Sequence, residues 1–504
     1  MIKKLKNLKY SIFIVLLGVL LICIQSYTNR PLWLDESYLS LNIIEKPFKN
    51  LFFPLDYNQV APILFLNLEK AFAIIFNYSE FGLRFVPFLC SILSLFLFEK
   101  ILNLIFLNKK VVLFCISMFA FNITFLDYAN EVKQYMVDLF FLLLILYLLF
   151  NTNNIQLKFK YLFILSIIGI FISNISPLFI FTIFIFLIYK SYKKANHSEL
   201  KLLLIYSSLV FITFILYFLL FVYNHPAKIA MIQEWKYNRA FLPLNNSWAE
   251  LSKFIYERTR QTFTNLISYG NIIGYLILML YILGIFQLFK NKKNGLFFLL
   301  VLPILLHLFL SSLQLYPYEK RLILYQIPLI IIVSGFGFNF FLNKKNLEVK
   351  ILSFLYPFIF FCSFLNYNRF PIIKTDIMSS LNFVKNNAQN NDLIYVSYLS
   401  SIPFKYYFIT QPDIISKKCI YISGQKTLEW DNKWSFNKIV FQKDLEKLLE
   451  NDRIWLLFSM MGDEDDKNTY SKKYLSSMDY NLVKQFEYNN SYIYLFKKNL
   501  KRTE

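Results

Sequence analysis

The sequence predicts a polytopic α-helical membrane protein of about eleven spans, followed by a C-terminal α/β domain outside the bilayer. Three observations predict it. Of 504 residues, 57% are apolar, 19% aromatic and only 17% charged, whereas a soluble domain carries about a quarter charged. Runs of Phe, Leu and Ile recur from residue 10 to residue 367, and many reach the roughly 18–20 residues that cross a bilayer. Beyond about residue 368 the character changes: Asn, Asp and Lys become common and apolar runs shorten.

In chain order the expected spans are 10–27, 82–107, 111–126, 135–150, 160–173, 175–190, 201–223, 271–290, 296–313, 321–342 and 350–367. The N-terminal MIKKLKNLKY and the apolar stretch after it have the outline of a signal peptide. The stretch has no small-x-small cleavage site and is longer than a signal core, so an uncleaved first helix is expected. Segment 61–77 is apolar but carries Glu69 and Lys70 at its centre, which are costly in hydrocarbon. Charge bias decides its reading. If it does not cross, Lys3, Lys4, Lys6 and Lys9 share one side with Lys109/Lys110, Lys158/Lys160, Lys190/Lys193/Lys194, Lys290/Lys292/Lys293 and Lys344/Lys345. That is the positive-inside pattern, so 61–77 is expected to be an amphipathic juxtamembrane helix. A transmembrane domain over 1–367 then has a first outer loop at 28–81, a short outer turn at 127–134, a second large outer loop at 224–270 and a turn at 314–320.

Charge and cysteine content exclude other classes. The net charge is +21, but the lysines stand in short tracts between apolar runs, so nucleic acid is not an expected partner. Cys23, Cys90, Cys115 and Cys362 lie in apolar runs and Cys419 stands alone, with no CxxC and no Cys/His cluster. In the domain expected at 368–504, the runs 392–398, 452–459 and 491–496 resemble strands. The patterns 377–388 and 441–451 resemble helices. It has no GxGxxG, P-loop or nucleophile elbow, and a scaffolding or substrate-shaping role is expected for it.

Four charged segments fall on the expected outer side. Asp35 and Glu36 follow the first span in NRPLWLDESYLSLN. Carboxylates set among apolar and aromatic residues are desolvated, as a general base requires, although Asp35 could equally cap a helix starting at Glu36. LDYANEVKQYMVD places Asp127 and Glu131 four residues apart, on one face if helical, with Lys133 and Tyr135 beyond. In SEFGLRFVPF, Arg84 enters the second span and needs a partner or a phosphate, and Glu80 is four residues before it. In QLYPYEKRLILYQIPL, Glu319, Lys320 and Arg321 stand where the positive-inside rule disfavours cations, which suggests an anion there.

These segments, in this order, resemble the GT-C superfamily of membrane glycosyltransferases over residues 1–367. They are most similar to glycosyltransferase family 39, with its protein O-mannosyltransferases and aminoarabinose-transferase-like relatives. The resemblance is carried by Trp33-Leu34-Asp35-Glu36-Ser37, Gln59-Val60-Ala61-Pro62, Ser79-Glu80-Phe81-Gly82-Leu83-Arg84, Glu131-Val132-Lys133-Gln134-Tyr135, and Tyr316-Pro317 before Lys320-Arg321. Two departures stand out: Val60-Ala61-Pro62 replaces a His-Pro-Pro or Lys-Pro-Pro, and Gln134 stands where relatives have proline.

The resemblance implies a GT-C fold and transfer of a sugar from a polyprenyl-phosphate donor. The acceptor hydroxyl would belong to a glycan, lipid or protein on the outer face, and transfer would invert the anomeric centre. It implies Asp35 as general base, with Glu36 and Asp127 assisting. Arg84, Lys133, Lys320 and Arg321 would bind the carrier phosphate, supported by Glu131, Tyr135, Gln59 and Glu80. A divalent cation, Mg or Mn, would use Asp35 and Asp127. The expected location is a bacterial inner membrane, among membrane lipids, with the N-terminus cytoplasmic and the C-terminal domain extracytoplasmic. Two other functions compete. One is a lipid-linked glycan flippase or transporter, disfavoured by the absence of an internal repeat. The other is a glycan ligase, for which loop 224–270 offers His225, Arg239, Arg258 and Arg260.

Overall fold

A computed structural model describes residues 2–244, 247–267, 270–342, 356, 358–365, 370–414, 419–425, 428–430, 434–459 and 463–499. Side chains are not described for 2–9, 428–430, 434–436 and 463–466. The described chain divides into two compact units. One comprises 1–27, 48–72 and 84–370; the other comprises 28–47, 73–83 and 371–504. The first outer loop is therefore shared between the units.

The first unit is helical. Among the described residues, seven helices are long and apolar enough to cross a membrane: Tyr10–Tyr27, Phe85–Ile105, Ile155–Ile172, Ser176–Lys193, His197–Tyr223, Asn271–Lys290 and Asn294–Ser312. Tyr135–Asn151 and Gln326–Leu342 are shorter apolar helices. The final expected span, 350–367, is described only at 356 and 358–365, which are helical. Lys344 and Lys345 lie outside the described residues.

Two expected spans need correction. Segment 111–126 is not one helix: Lys109–Ala120 ends, and Ile123–Tyr128 begins after Asn122. The Asn122 side chain accepts from the Phe125 amide at 2.8 Å, which caps the second piece. Its Nδ2 donates to the carbonyls of Leu266 and Ile267 at 2.8 and 3.0 Å. Those carbonyls end a π-helical turn, Thr262–Ile267, so one side chain satisfies backbone groups at two helix ends. Segment 321–342 starts late. Residues 321–325 form a turn, and the helix runs Gln326–Leu342.

The helix in 61–77 spans Ile63–Ile75. Thirteen residues reach about 20 Å, short of the roughly 30 Å hydrocarbon core. Glu69 and Lys70, 0% and 5% exposed, are on its buried side.

In the second unit, the described residues between 393 and 498 include a five-stranded sheet. The chain's strands are β1 (Leu393–Val396), β2 (Ile420–Ser423), β3 (Leu428–Trp430), β4 (Trp434–Phe436), β5 (Arg453–Ser459), β6 (Tyr480–Tyr488) and β7 (Ser491–Lys498). The sheet order is β2-β1-β5-β7-β6, with β1 parallel to β2 and β5, and β7 antiparallel to β5 and β6. β3 and β4 pair separately. Asn489 and Asn490, both at positive φ, make the tight turn from β6 to β7. Helix Tyr398–Thr410 packs against helix Leu34–Glu45 in the same unit. The Tyr407 hydroxyl accepts from the Leu32 amide at 2.9 Å, and Lys405 pairs with Glu45 at 2.6 Å.

Candidate active site

The first unit gathers charge around its turns at 129–134 and 314–320. Ile123–Tyr128 ends at Tyr128, and the chain turns through 129–134 before helix Tyr135–Asn151. Asp127 and Glu131 are therefore joined by a turn and not by a shared helix face. Both act on the phenol of Tyr128. Burial pushes that phenol well above its usual range, the charges of Glu131, Asp127 and Tyr135 push it further, and Arg321 acts in the opposite direction. The charges of two of the segments read from sequence, at 126–138 and 314–329, thus both act on one tyrosine. The Tyr128 and Tyr135 rings meet edge to face with centroids 5.4 Å apart.

Lys133 is buried and donates to Gln59 Oε1 at 2.8 Å, so the segment opening the juxtamembrane helix joins the cluster. Arg321 lies over the indole of Trp235, 5.0 Å from the ring centroid, a distance at which the cation is attracted to the ring face. Lys320 is half-buried beside it, its amide donating to Glu319 Oε1. Glu319 also receives Arg258 at 2.5 Å. Arg84 is buried at the N-cap of helix Phe85–Ile105.

The cluster continues inward through aromatic hydroxyls. The Tyr316 phenol is pushed well above its usual range by burial, then by Asp138, Tyr135 and Tyr325. His307, fully buried, contacts the Tyr325 hydroxyl and the Pro317 carbonyl, each at 3.0 Å. Gln326 is held by Tyr318, whose hydroxyl donates to Oε1 at 3.0 Å. These bonds hold turn 314–320 rigid.

The remaining candidates belong to the second unit. Helix Leu34–Glu45 begins with Trp33 as its N-cap. Asp35 is therefore in the first helical turn and does not cap the helix, and its side chain is half-buried. A carboxylate there faces the positive end of the helix dipole. Glu36 is 0% exposed and pairs with buried Arg30 at 2.8 Å, which ties the loop to the helix it precedes. Glu80 accepts from Asn29 Nδ2 at 3.4 Å.

No three His, Cys, Asp or Glu side chains converge into a metal-binding group among the described residues. Asp35 and Asp127, the residues expected to hold Mg or Mn, belong to different units, and neither is part of such a group among the described residues.

No family model matches the chain, and no curated protein matches it in sequence. Solved structures do match its fold. ArnT from Cupriavidus metallidurans bound to undecaprenyl phosphate is 9% identical, covering 97% of this chain and 98% of its own, with a TM-score of 0.50. Apo ArnT from the same organism is 10% identical over 95% of this chain and 97% of its own, with a TM-score of 0.51. The apo oligosaccharyltransferase of Archaeoglobus fulgidus is 11% identical, covering all of this chain and 75% of its own, with a TM-score of 0.51. The chain has the GT-C fold.

Within that GT-C frame, the sequence identified the charged residues of the first unit but missed their aromatic partners. Tyr128 carried no signal, because one tyrosine in a chain with 57 Phe and 35 Tyr is unremarkable by itself, and Trp235 and His307 stand outside the charged segments that drew the reading. Arg30 was legible: it is a cation six residues before Glu36 on the expected outer side.

Proposed function

We propose that the protein is a membrane glycosyltransferase that takes a sugar from a polyprenyl-phosphate donor and passes it to an acceptor hydroxyl. The reading is supported by the GT-C fold together with Asp127, Glu131 and Arg321, whose charges act on Tyr128, and buried Lys133, which bonds to Gln59. Paired carboxylates with fixed cations suit a reaction in which a hydroxyl loses a proton and a phosphate leaves with the bonding electrons.

In this reading Asp35 takes the acceptor proton while the acceptor oxygen attacks the anomeric carbon. The bond from that carbon to the phosphate oxygen breaks, and polyprenyl phosphate leaves with its charge met by Arg321 and Lys133, aided by Arg84 and Lys320. Fixed cations act more strongly where water is scarce. Attack opposite the leaving group inverts the anomeric centre. Asp127 and Glu131 orient the acceptor, Tyr135 and Gln59 hold their neighbours, and Glu36 and Glu80 hold the loop carrying Asp35. The site faces outward across a bacterial inner membrane. The ligase reading is weakened by Arg258, which is committed to Glu319.

Purified protein supplied with polyprenyl-phosphate sugars tests the assignment of the base. Asp35→Asn should reduce polyprenyl-phosphate release about 10²–10⁴-fold, the usual contribution of a positioned base. Equal release by the two proteins would remove Asp35 from the mechanism.

A further inference from the structure

A cavity of about 300 Å³ opens at the end of the first unit that carries Lys158, Lys190 and Lys194, all of which line it. Its walls are apolar, with Phe159, Phe186, Leu187 and Leu299 among them. Lys158 is in the opening turns of helix Ile155–Ile172, Lys190 in the last turn of Ser176–Lys193, and Lys194 is that helix's C-cap. By the positive-inside rule this is the inner rim, opposite the candidate active site.

The helix dipole accounts for only part of this arrangement. Cations at the end of Ser176–Lys193 are favoured by its C-terminal partial charge, but Lys158 sits near the positive end of its own helix, where a cation is disfavoured. Glu199, the one acidic residue lining the cavity, is held by the Ser191 hydroxyl at 3.3 Å. It forms no ion pair with the three lysines among the described residues. Three cations against one carboxylate leave this mouth positive, above an apolar cleft between helices. A phosphate at the mouth would balance the charge and meet the N-terminus of Ile155–Ile172 favourably, and an acyl chain would cover the apolar walls.

We propose that this cleft is a binding site for an anionic phospholipid, with the phosphate on Lys158, Lys190 and Lys194 and a chain against Phe159, Phe186 and Leu299. The occupant is a lipid and not a free anion, because charge and apolar wall belong to one cavity. The site is separate from the proposed donor site and stands whether or not the transferase reading does.

Native mass spectrometry of the full-length protein, titrated with phosphatidylglycerol or phosphatidylcholine, tests it. Wild type should retain phosphatidylglycerol at least about tenfold more tightly than phosphatidylcholine. A lysine near a membrane surface contributes roughly fivefold, so Lys190→Gln/Lys194→Gln should weaken retention about 25-fold. Lys158→Arg, which keeps the charge, and Lys193→Gln, which alters a lysine that does not line the cavity, should both behave as wild type and show that the fold survives. Equal retention of the two lipids would overturn the proposal. So would undiminished phosphatidylglycerol binding by the double variant, or inorganic phosphate at equal concentration displacing the lipid fully.

Discussion

Arg321 lies over the Trp235 ring, and that makes it sensitive to a change that preserves charge. Lysine cannot reproduce the planar fork or the stacking. Arg321→Lys is expected to lower kcat/KM about tenfold, and steady-state kinetics on a polyprenyl-phosphate sugar would show it. Arg321 drew notice in the sequence because a Lys-Arg pair on the expected outer side breaks a strong rule, and Lys133 because it shares one short turn with two carboxylates, whereas Trp235 has neither signal. Glu69 shows the reverse. Its charge was read as a reason for helix 63–75 to stay at the interface, but its carboxyl is fully buried and neither oxygen has a hydrogen-bond partner among the described residues. Burial pushes its pKa well above the usual carboxylate range. A raised acid favours folding at low pH and loses that contribution as pH rises past its ordinary value, about 4.3. Glu69→Gln should therefore leave the melting temperature at neutral pH unchanged or higher, and a fall of more than about 2 °C would contradict a neutral Glu69.

Helices were legible wherever apolar runs were long, and illegible where one polar side chain reset the backbone. The 111–126 run looks continuous by hydropathy, but Asn122 both caps the second piece and bonds to Leu266 and Ile267. The Leu266 and Ile267 partners lie more than 140 residues away, beyond any local pattern. Helix Asn271–Lys290 crosses Gln326–Leu342 at Gly284 and Gly337. A Cβ on Gly284 would lie 1.9 Å from the Val333 carbonyl oxygen, and one on Gly337 would lie 2.0 Å from that of Leu280. Small residues let helix backbones touch in this way. Gly284→Ala must push the helices apart, at a cost of about 1–3 kcal/mol, measurable as a lower melting temperature in detergent. Helix Tyr398–Thr410 was also missed, and through Tyr407 it anchors the chain just before the Asp35 helix. Tyr407→Phe should speed hydrogen exchange across residues 30–45 while leaving β5 protected.

For the molecule as a whole, the α/β character of the C-terminal region was legible from buried runs such as β5, six of whose seven residues are buried. Edge strands β2 and β6 were not, because most of their residues are exposed, β2 is only four residues long and β6 mixes apolar with polar residues. The stability of this region in acid depends on Asp392. Burial alone would raise its pKa, but hydrogen bonds from Arg453, the Gln389 amide and Trp455 outweigh burial and hold it below the usual carboxylate range. A depressed acid contributes stability that is present above its ordinary pKa, about 3.9, and lost as pH falls through the lower folded value. Asp392→Asn should cost about 2–3 kcal/mol at pH 7 and little at pH 2, as read by hydrogen exchange in β5.

The role proposed for the cluster around Tyr128 is to receive a leaving lipid phosphate. Release of polyprenyl phosphate from a polyprenyl-phosphate sugar, measured for wild type beside Arg321→Gln, is its sharpest test. Wild type is expected to turn over and the variant to lose about 10²–10³-fold, the usual effect of removing one fixed charge-stabilising group. Undiminished release by a folded Arg321→Gln, or passage of intact lipid-linked sugar across a vesicle membrane with no release at all, would contradict it.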